Sequence, residues 1–174
     1  MNLAEIMALL RTNIEELLLP EQQHFFLLDP VRDAYLAVPD GTRQPTTDVN
    51  FASKSALIQI LALEKAYIFI RVEDDLPKAL ESERSRLSIL GAQIFIPFPG
   101  RDQSLLGFIV LTPRRSGEPY TTRDLKLLET LCDQTALAVE RALVIDDLER
   151  RVTEMNTLIR VAQGVNVTVR FDDI

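Results

Sequence analysis

The chain has 174 residues, 47% of them hydrophobic, with a net charge of −7 and one cysteine. That is enough for one domain with a real core plus an appendage, and the acidic balance excludes a nucleic-acid surface, which needs clustered Lys and Arg. A lone cysteine forms no internal disulfide and fits a reducing cytoplasm; no window is apolar enough to span a membrane, and the segment at Met1 lacks the basic start and apolar run of a secretory leader.

Leu3, Met7, Leu10, Ile14 and Leu17 alternate steps of four and three, which predicts an amphipathic helix from Met1 to Leu19, stopped by Pro20. His24 to Leu28 reads as a buried strand, and Ala34 to Val38 as its hairpin partner, ending at the turn residues Pro39-Asp40-Gly41. Thr42 to Asn50 is polar and aperiodic, hence loop. Ser55 is the expected cap of a helix running to Lys65, with Leu57, Ile58, Leu61 and Ala62 turned inward. Ala66 to Val72 has strand composition, and Leu76 to Leu90 reads as a charged helix with Leu76, Leu80, Leu87 and Leu90 on its apolar side. Ala92 to Phe98 and Leu105 to Thr112 follow as strands, and the turn residues between them predict an antiparallel pair. The order is an α+β pattern: one mostly antiparallel sheet, terminal helices on one face and intervening helices on the other.

Thr121 opens the last helix with a capping box. Its hydroxyl accepts from the Asp124 amide, the Asp124 carboxylate accepts from the Thr121 amide, and Tyr120 and Leu125 sit as a hydrophobic staple. From Tyr120 to Ala162 the pattern predicts about forty helical residues, roughly 60 Å long, more than a compact domain is wide. As far as Leu143 two stripes are apolar. One runs through Leu125, Leu128, Cys132, Thr135, Val139 and Ala142; the other through Leu128, Leu131, Thr135, Ala138, Ala142 and Ile145. Beyond lies a single seam of Ile145, Leu148, Val152, Met155, Ile159 and Ala162. Its β-branched residues at alternate positions favour a parallel two-stranded coil, hence a homodimer. Asp146 to Arg150 and Asp147 to Arg151 mark the solvated side. Two successive three-residue steps, Ala142 to Ile145 to Leu148, form a stammer that overwinds a coil locally, where rearrangement of the domain would become helix rotation. Gly164 is expected to stop the helix, and Val165 to Ile174 to begin a further domain of a longer protein. The expected organisation is a domain over 1–144, a coiled-coil signalling helix over 145–163 and a linker over 164–174.

Gly91 to Phe98, Leu106 to Leu111, Ser116 to Thr121, Asp124 to Glu129 and Leu131 to Ala142 together form a strand-turn-strand-turn-helix run. That run is similar to GAF domains, the small-molecule sensor modules of bacterial signalling proteins; the first ninety or so residues resemble them in pattern only. Leu148 to Ile159 resembles the helices that join such domains to kinase or cyclase outputs. The resemblance implies a central antiparallel sheet, a ligand pocket roofed by the Glu73 to Leu90 region, and dimerisation through the first and last helices. The ligand candidates are then Tyr67, Phe69, Phe95 and Pro97 on strands facing the roof, with Arg84 and Leu87 on the roof itself. Arg84 is a possible anchor for an anion, or one of an exposed charged face with Glu81, Glu83 and Arg86.

Known chemistries of that family find no residues here. A bilin needs a pocket cysteine, commonly followed by His; Cys132 is followed by Asp133 on an apolar stripe and reads as a small buried hydrophobe. A lone cysteine excludes a reductase disulfide cycle. The cyclic-nucleotide signature is missing. His24, the only histidine, reads as a surface or strand-start residue and not a haem ligand. No catalytic triad, phosphate loop or metal-ligand cluster is visible, so the segment is not expected to be an enzyme and its cofactor stays unknown. The expected function is a cytoplasmic sensory domain that binds a small molecule or receives an upstream signal. It passes that signal through a dimeric helix to an output domain, a sensor histidine kinase in a two-component system above all, in a parent that a membrane can still anchor. The alternatives are a ligand-free dimerisation and relay module, or the ligand-binding half of a transcription regulator. No contact with nucleic acid or membrane is expected of the segment itself.

Overall fold

The computed structural model describes residues 1–102 and 104–172, with side chains as far as Gly164. Helix α1 (Leu3–Leu18) starts at Asn2, whose side-chain oxygen accepts from the Glu5 amide at 2.9 Å while the Glu5 carboxylate accepts from the Asn2 amide at 3.0 Å. Two otherwise orphan donors are thereby satisfied. The helix ends where Leu19 turns left-handed, φ 50°, ahead of Pro20. Its buried face is Ile6, Met7, Leu10, Ile14 and Leu18. Leu17, expected inside, is 52% exposed, because a 3.6-residue period carries the stripe from Ile14 to Leu18.

Six strands form one antiparallel sheet: β1 (Gln23–Asp29), β2 (Ala34–Ala37), β3 (Phe51–Ala52), β4 (Ile68–Phe69), β5 (Ile94–Pro99) and β6 (Leu105–Leu111), in the order β3-β2-β1-β6-β5-β4. β5 and β6 pair antiparallel as expected. β3 was not expected; it is two residues long and pairs Phe51 with Tyr35. β4 is shorter than the Ala66 to Val72 run, because the Tyr67 amide donates to Glu129 at 2.9 Å instead of to a strand.

Side chains alternate across the sheet and divide the core in two. Phe25, Leu27, Ile94, Ile96, Phe98, Ile109 and Leu111 face α1 and the last helix. Phe26, Phe95, Phe108 and Val110 face the connecting helices. These are α2 (Ala56–Glu64), a 3-10 segment Lys78–Glu83, and α3 (Arg84–Leu90). The expected single helix from Leu76 is therefore broken: in the 3-10 segment residues three apart eclipse, which turns Leu80 and Glu83 inward together. Ser55 does precede α2, but its hydroxyl makes no cap bond and is buried without a partner.

The last helix, α4 (Thr122–Asp172), has 51 residues, about 75 Å at about 1.5 Å each. The capping box is present, with Thr121 N to Asp124 Oδ2 at 2.9 Å and Asp124 N to Thr121 Oγ1 at 3.2 Å. Leu125, Leu128, Cys132, Ala136, Val139 and Ala142 face the body. The first expected stripe is thus the buried one, with Ala136 next to the half-buried Thr135; the second is open at Ala138 and Ile145. Gly164 does not stop the helix. A glycine costs a helix interior only about 1 kcal/mol and does not by itself end one. Of the expected linker only Asp173 and Ile174 lie outside the described residues.

Candidate functional site

The residues expected around the roof separate into three groups. Phe95 and Leu87 are buried in the roof-side core, and Pro97 is buried opposite Phe108. Tyr67 and Phe69 lie on the other face, packed against the core that α1 and α4 cover; this corrects the expectation that they face the roof. The register explains it: Phe69 pairs with Ile94 and so shares its face, Tyr67 lies two residues before on the same side, and the Phe69 ring meets Tyr120, just ahead of α4, edge-on at 6.5 Å. Arg84 is on the surface, its guanidinium donating twice to the Glu81 carboxylate at 2.7 and 2.8 Å. Hydrogen bonding to Arg84 holds the Glu81 carboxyl below its usual range. Glu83 is not part of that exposed face: it is 2% exposed and accepts from Arg86 at 3.2 Å.

Directly beneath the roof, aromatic rings fill the space. Phe26 stacks on Phe108 at 4.8 Å, Phe51 meets both edge-on, and Tyr35 lies 5.8 Å from Phe108 with its hydroxyl donating to the Leu105 carbonyl. Burial pushes the Tyr35 phenol up to about 12. The open space lies at the end of the sheet instead. A groove of about 740 Å³ runs beside α3 between Arg71, Leu76, Arg84, Leu87, Gln93 and Thr112. It joins both signs of charge to an apolar floor, within the size range of small-molecule sites.

The wall of that groove is tied to the long helix. Arg71, Val72 and Asp74 line it, and the same segment begins at the Tyr67 amide that Glu129 of α4 accepts. Glu129→Ala is expected to release this edge at a cost of about 1 kcal/mol. Hydrogen exchange checks it: protection should fall at Ile68 and Phe69 and stay unchanged in β1.

Where the middle of α1 packs on the start of β1, sequence reasoning missed a buried polar cluster. Arg11 lies 4.4 Å over the Phe25 ring and donates to the Gln23 carbonyl, while the Gln23 amide donates back to the Arg11 carbonyl, both at 3.1 Å. His24 is 6% exposed, its Nδ1 2.8 Å from Thr46 Oγ1. The expected surface histidine is therefore a buried one, because the 39–46 loop folds over the start of β1. Burial, then the Arg11 charge, holds its pKa below 6.5, with Asp40 opposing. A base so depressed contributes stability fully above its unfolded value of about 6.5 and loses it as pH falls through the folded value. Since His24 is the only histidine, its ring resonances should titrate below 6.5, and Arg11→Met should move the midpoint upward.

Among the described residues no helix is long and apolar enough to cross a membrane, and no group of three or more His, Cys, Asp or Glu is placed to hold a metal ion. The GAF domain family profile matches residues 2–141. The chain belongs to the GAF domain family. GAF domains are sensory and regulatory signalling modules. Among solved structures, a methyl-accepting chemotaxis protein fragment shares 14% identity at a TM-score of 0.63, over 83% of this chain and 92% of that one. A GAF domain/HD domain protein from Geobacter sulfurreducens shares 13% at 0.63, over 84% and 97%. The GAF domain of a two-component sensor histidine kinase from Bacillus halodurans shares 19% at 0.59, over 84% and 99%. At such identities the likeness is one of fold. No curated protein matches the chain in sequence.

Proposed function

We propose that this GAF domain is the receiving part of a signalling protein and drives an output domain through a parallel pair of its long helices. One observation carries the reading. On a helix without a break, Ile145, Leu148, Val152, Met155 and Ile159 are 49 to 65% exposed along one seam, immediately past the last residue buried against the body, Ala142. Large apolar side chains at that spacing are a coiled-coil seam awaiting its twin. The wider terminal-helix surface, with Leu9 and Leu17 of α1 also exposed, would continue the same interface. A two-component histidine kinase is the output we favour, in keeping with the Bacillus halodurans neighbour and with the seam's helix.

The signal would enter at the groove beside α3 as a small molecule or as contact from an upstream domain. It would shift the population of paired-helix arrangements by no more than its differential affinity for them. The stammer at Ala142 to Leu148 is where that shift would become rotation. A second reading, a relay without a ligand, is favoured by the aromatic packing of Phe26, Phe51 and Phe108 under the roof. Single cysteines at Val152 and Met155 test the pairing, since native Cys132 is fully buried. Both should crosslink to themselves in a parallel dimer; a cysteine at Glu149 or Arg150 should not. Crosslinking spread evenly over all four positions overturns the seam.

A further inference from the structure

Helix α4 leaves the body beside the connection between β5 and β6. Arg101, two residues past the end of β5, places its Nε 3.4 Å from Oε2 of Glu140 on α4. Ala142, two residues further on, is the last residue buried against the body. Next to this contact is an open hollow of about 320 Å³, lined by Arg101, Glu140, Arg141, Val144 and Ile145. Its surface is almost wholly apolar, because the charged residues there present their carbon stems. Val144 and Ile145 are 54% and 55% exposed. Such a surface gives a small ligand almost no polar anchor, but it suits an apolar side chain.

The helical part of the lining has a telling spacing. Residues i, i+3, i+4 and i+7 enclose one hole on a helix surface, and a coiled coil forms when side chains of the facing helix enter such holes. Arg141, Val144, Ile145 and Leu148 are one such set; the first three line the hollow and Leu148 is 54% exposed beyond them. In a parallel pair in register, the side chain that arrives there is the partner's Ile145. Area argues the same way. The five seam side chains from Ile145 to Ile159 are 49 to 65% exposed, and on the order of 100 Å² of each can still be buried. Over both copies that comes to about 1,000 Å², only the threshold of a specific interface, and contact at the exit extends it. We propose that the partner's Ile145 seats in this hollow, walled on the sheet side by Arg101, so that the β5–β6 connection belongs to the dimer interface. This rests on the parallel pairing of the long helices and adds the body to it. Arg101 hangs from the sheet and not from α4. The first layer of the coil is therefore built jointly, and a shift of the sheet against α4 alters it directly.

The test mixes two single-cysteine forms of the whole chain, Arg101→Cys and Ile145→Cys, one of them size-tagged so that a link between copies is read from its mass. Native Cys132 is fully buried and does not compete. A short crosslinker should join the two forms, whereas Arg71→Cys, in the groove at the other end of β5, should not be joined to Ile145→Cys. Val152→Cys crosslinked to itself reports the coil alone. Arg101→Ala should weaken dimerisation about fivefold or more in sedimentation equilibrium. It should leave the melting temperature of the body unchanged, since the Arg101 side chain is 70% exposed and such a surface ion pair adds little to folding. Self-crosslinking of Val152→Cys without a link between Arg101→Cys and Ile145→Cys, or unchanged association in Arg101→Ala, would overturn the seating and leave the pairing standing. Failure of Val152→Cys to crosslink as well would remove the pairing on which both depend.

Discussion

Gly107→Ala should unfold the domain under conditions where the parent chain is stable. Gly107 sits mid-strand in β6, opposite Leu27 of β1. A Cβ there would collide with the Phe26 carbonyl oxygen and lie 2.8 Å from Leu27 Cδ2. The first contact is with backbone, so no rotamer relieves it; β1 and β6 would have to separate. They are the two central strands, with packed cores on both faces, so separation strains both layers. Overpacking of that kind costs about 3 kcal/mol or more, against a total stability of about 5–15 kcal/mol. The melting temperature should fall by roughly 10 °C or more, measured by calorimetry and denaturant titration. A loss under about 3 °C would mean that the strands have more play than the packing implies. Gly164→Ala is the contrast. Its Cβ meets nothing within 4 Å, and in a helix it should be neutral or stabilising by up to about 1 kcal/mol.

The end of α1, the start of α4 and the division of the core were legible because local chemistry and alternation determine them, whereas the stop expected at Gly164 was not one. Thr121 and Asp124 cap α4 as the motif requires, and Pro20 follows the end of α1. The box at Asn2 and Glu5 is equally local in its chemistry, although the apolar rhythm there starts only at Leu3. Edge strands were not legible. Composition marks Ala66 to Val72 as strand, but Glu129 accepts from the Tyr67 amide from sixty-two positions away, and the Phe69–Ile94 register puts Phe69 on the face that α1 and α4 cover. The same long-range control hid the polar cluster. Arg11, His24, Asp40 and Thr46 are unremarkable in sequence, and only the fold of the 39–46 loop over β1 assembles them. The roof residues illustrate the converse limit. Phe95, Leu87 and Pro97 were expected near a pocket and are indeed beneath the roof, but pattern cannot tell an apolar side chain that lines a space from one that fills it. Phe26, Phe51 and Phe108 fill it, which moves the open volume to the groove beside α3.

The second large effect lies in the long helix. Val152→Asp combined with Ile159→Asp should convert a dimer into a monomer without harming the domain. Both side chains are about half-exposed in the single chain, so a carboxylate at either is well hydrated there, and neither position touches the sheet. In a paired coil each would be enclosed by its twin. An apolar side chain loses about 1.5–3 kcal/mol when its burial is removed, the change occurs in both copies, and like charges face each other across the seam. The dimer should lose at least about 4 kcal/mol, a factor of about a thousand in dissociation constant. Sedimentation equilibrium reads that directly, with the melting temperature of the globular part as the control for folding. Arg150→Ala, on the solvated side where Arg150 pairs only with Asp146 of its own helix at 3.6 Å, should leave association unchanged. A parent chain that stays monomeric at every concentration refutes the pairing itself. A double variant that stays dimeric would instead assign the interface to the exposed faces of α1 and the first half of α4, and the seam would then pair with some other helix.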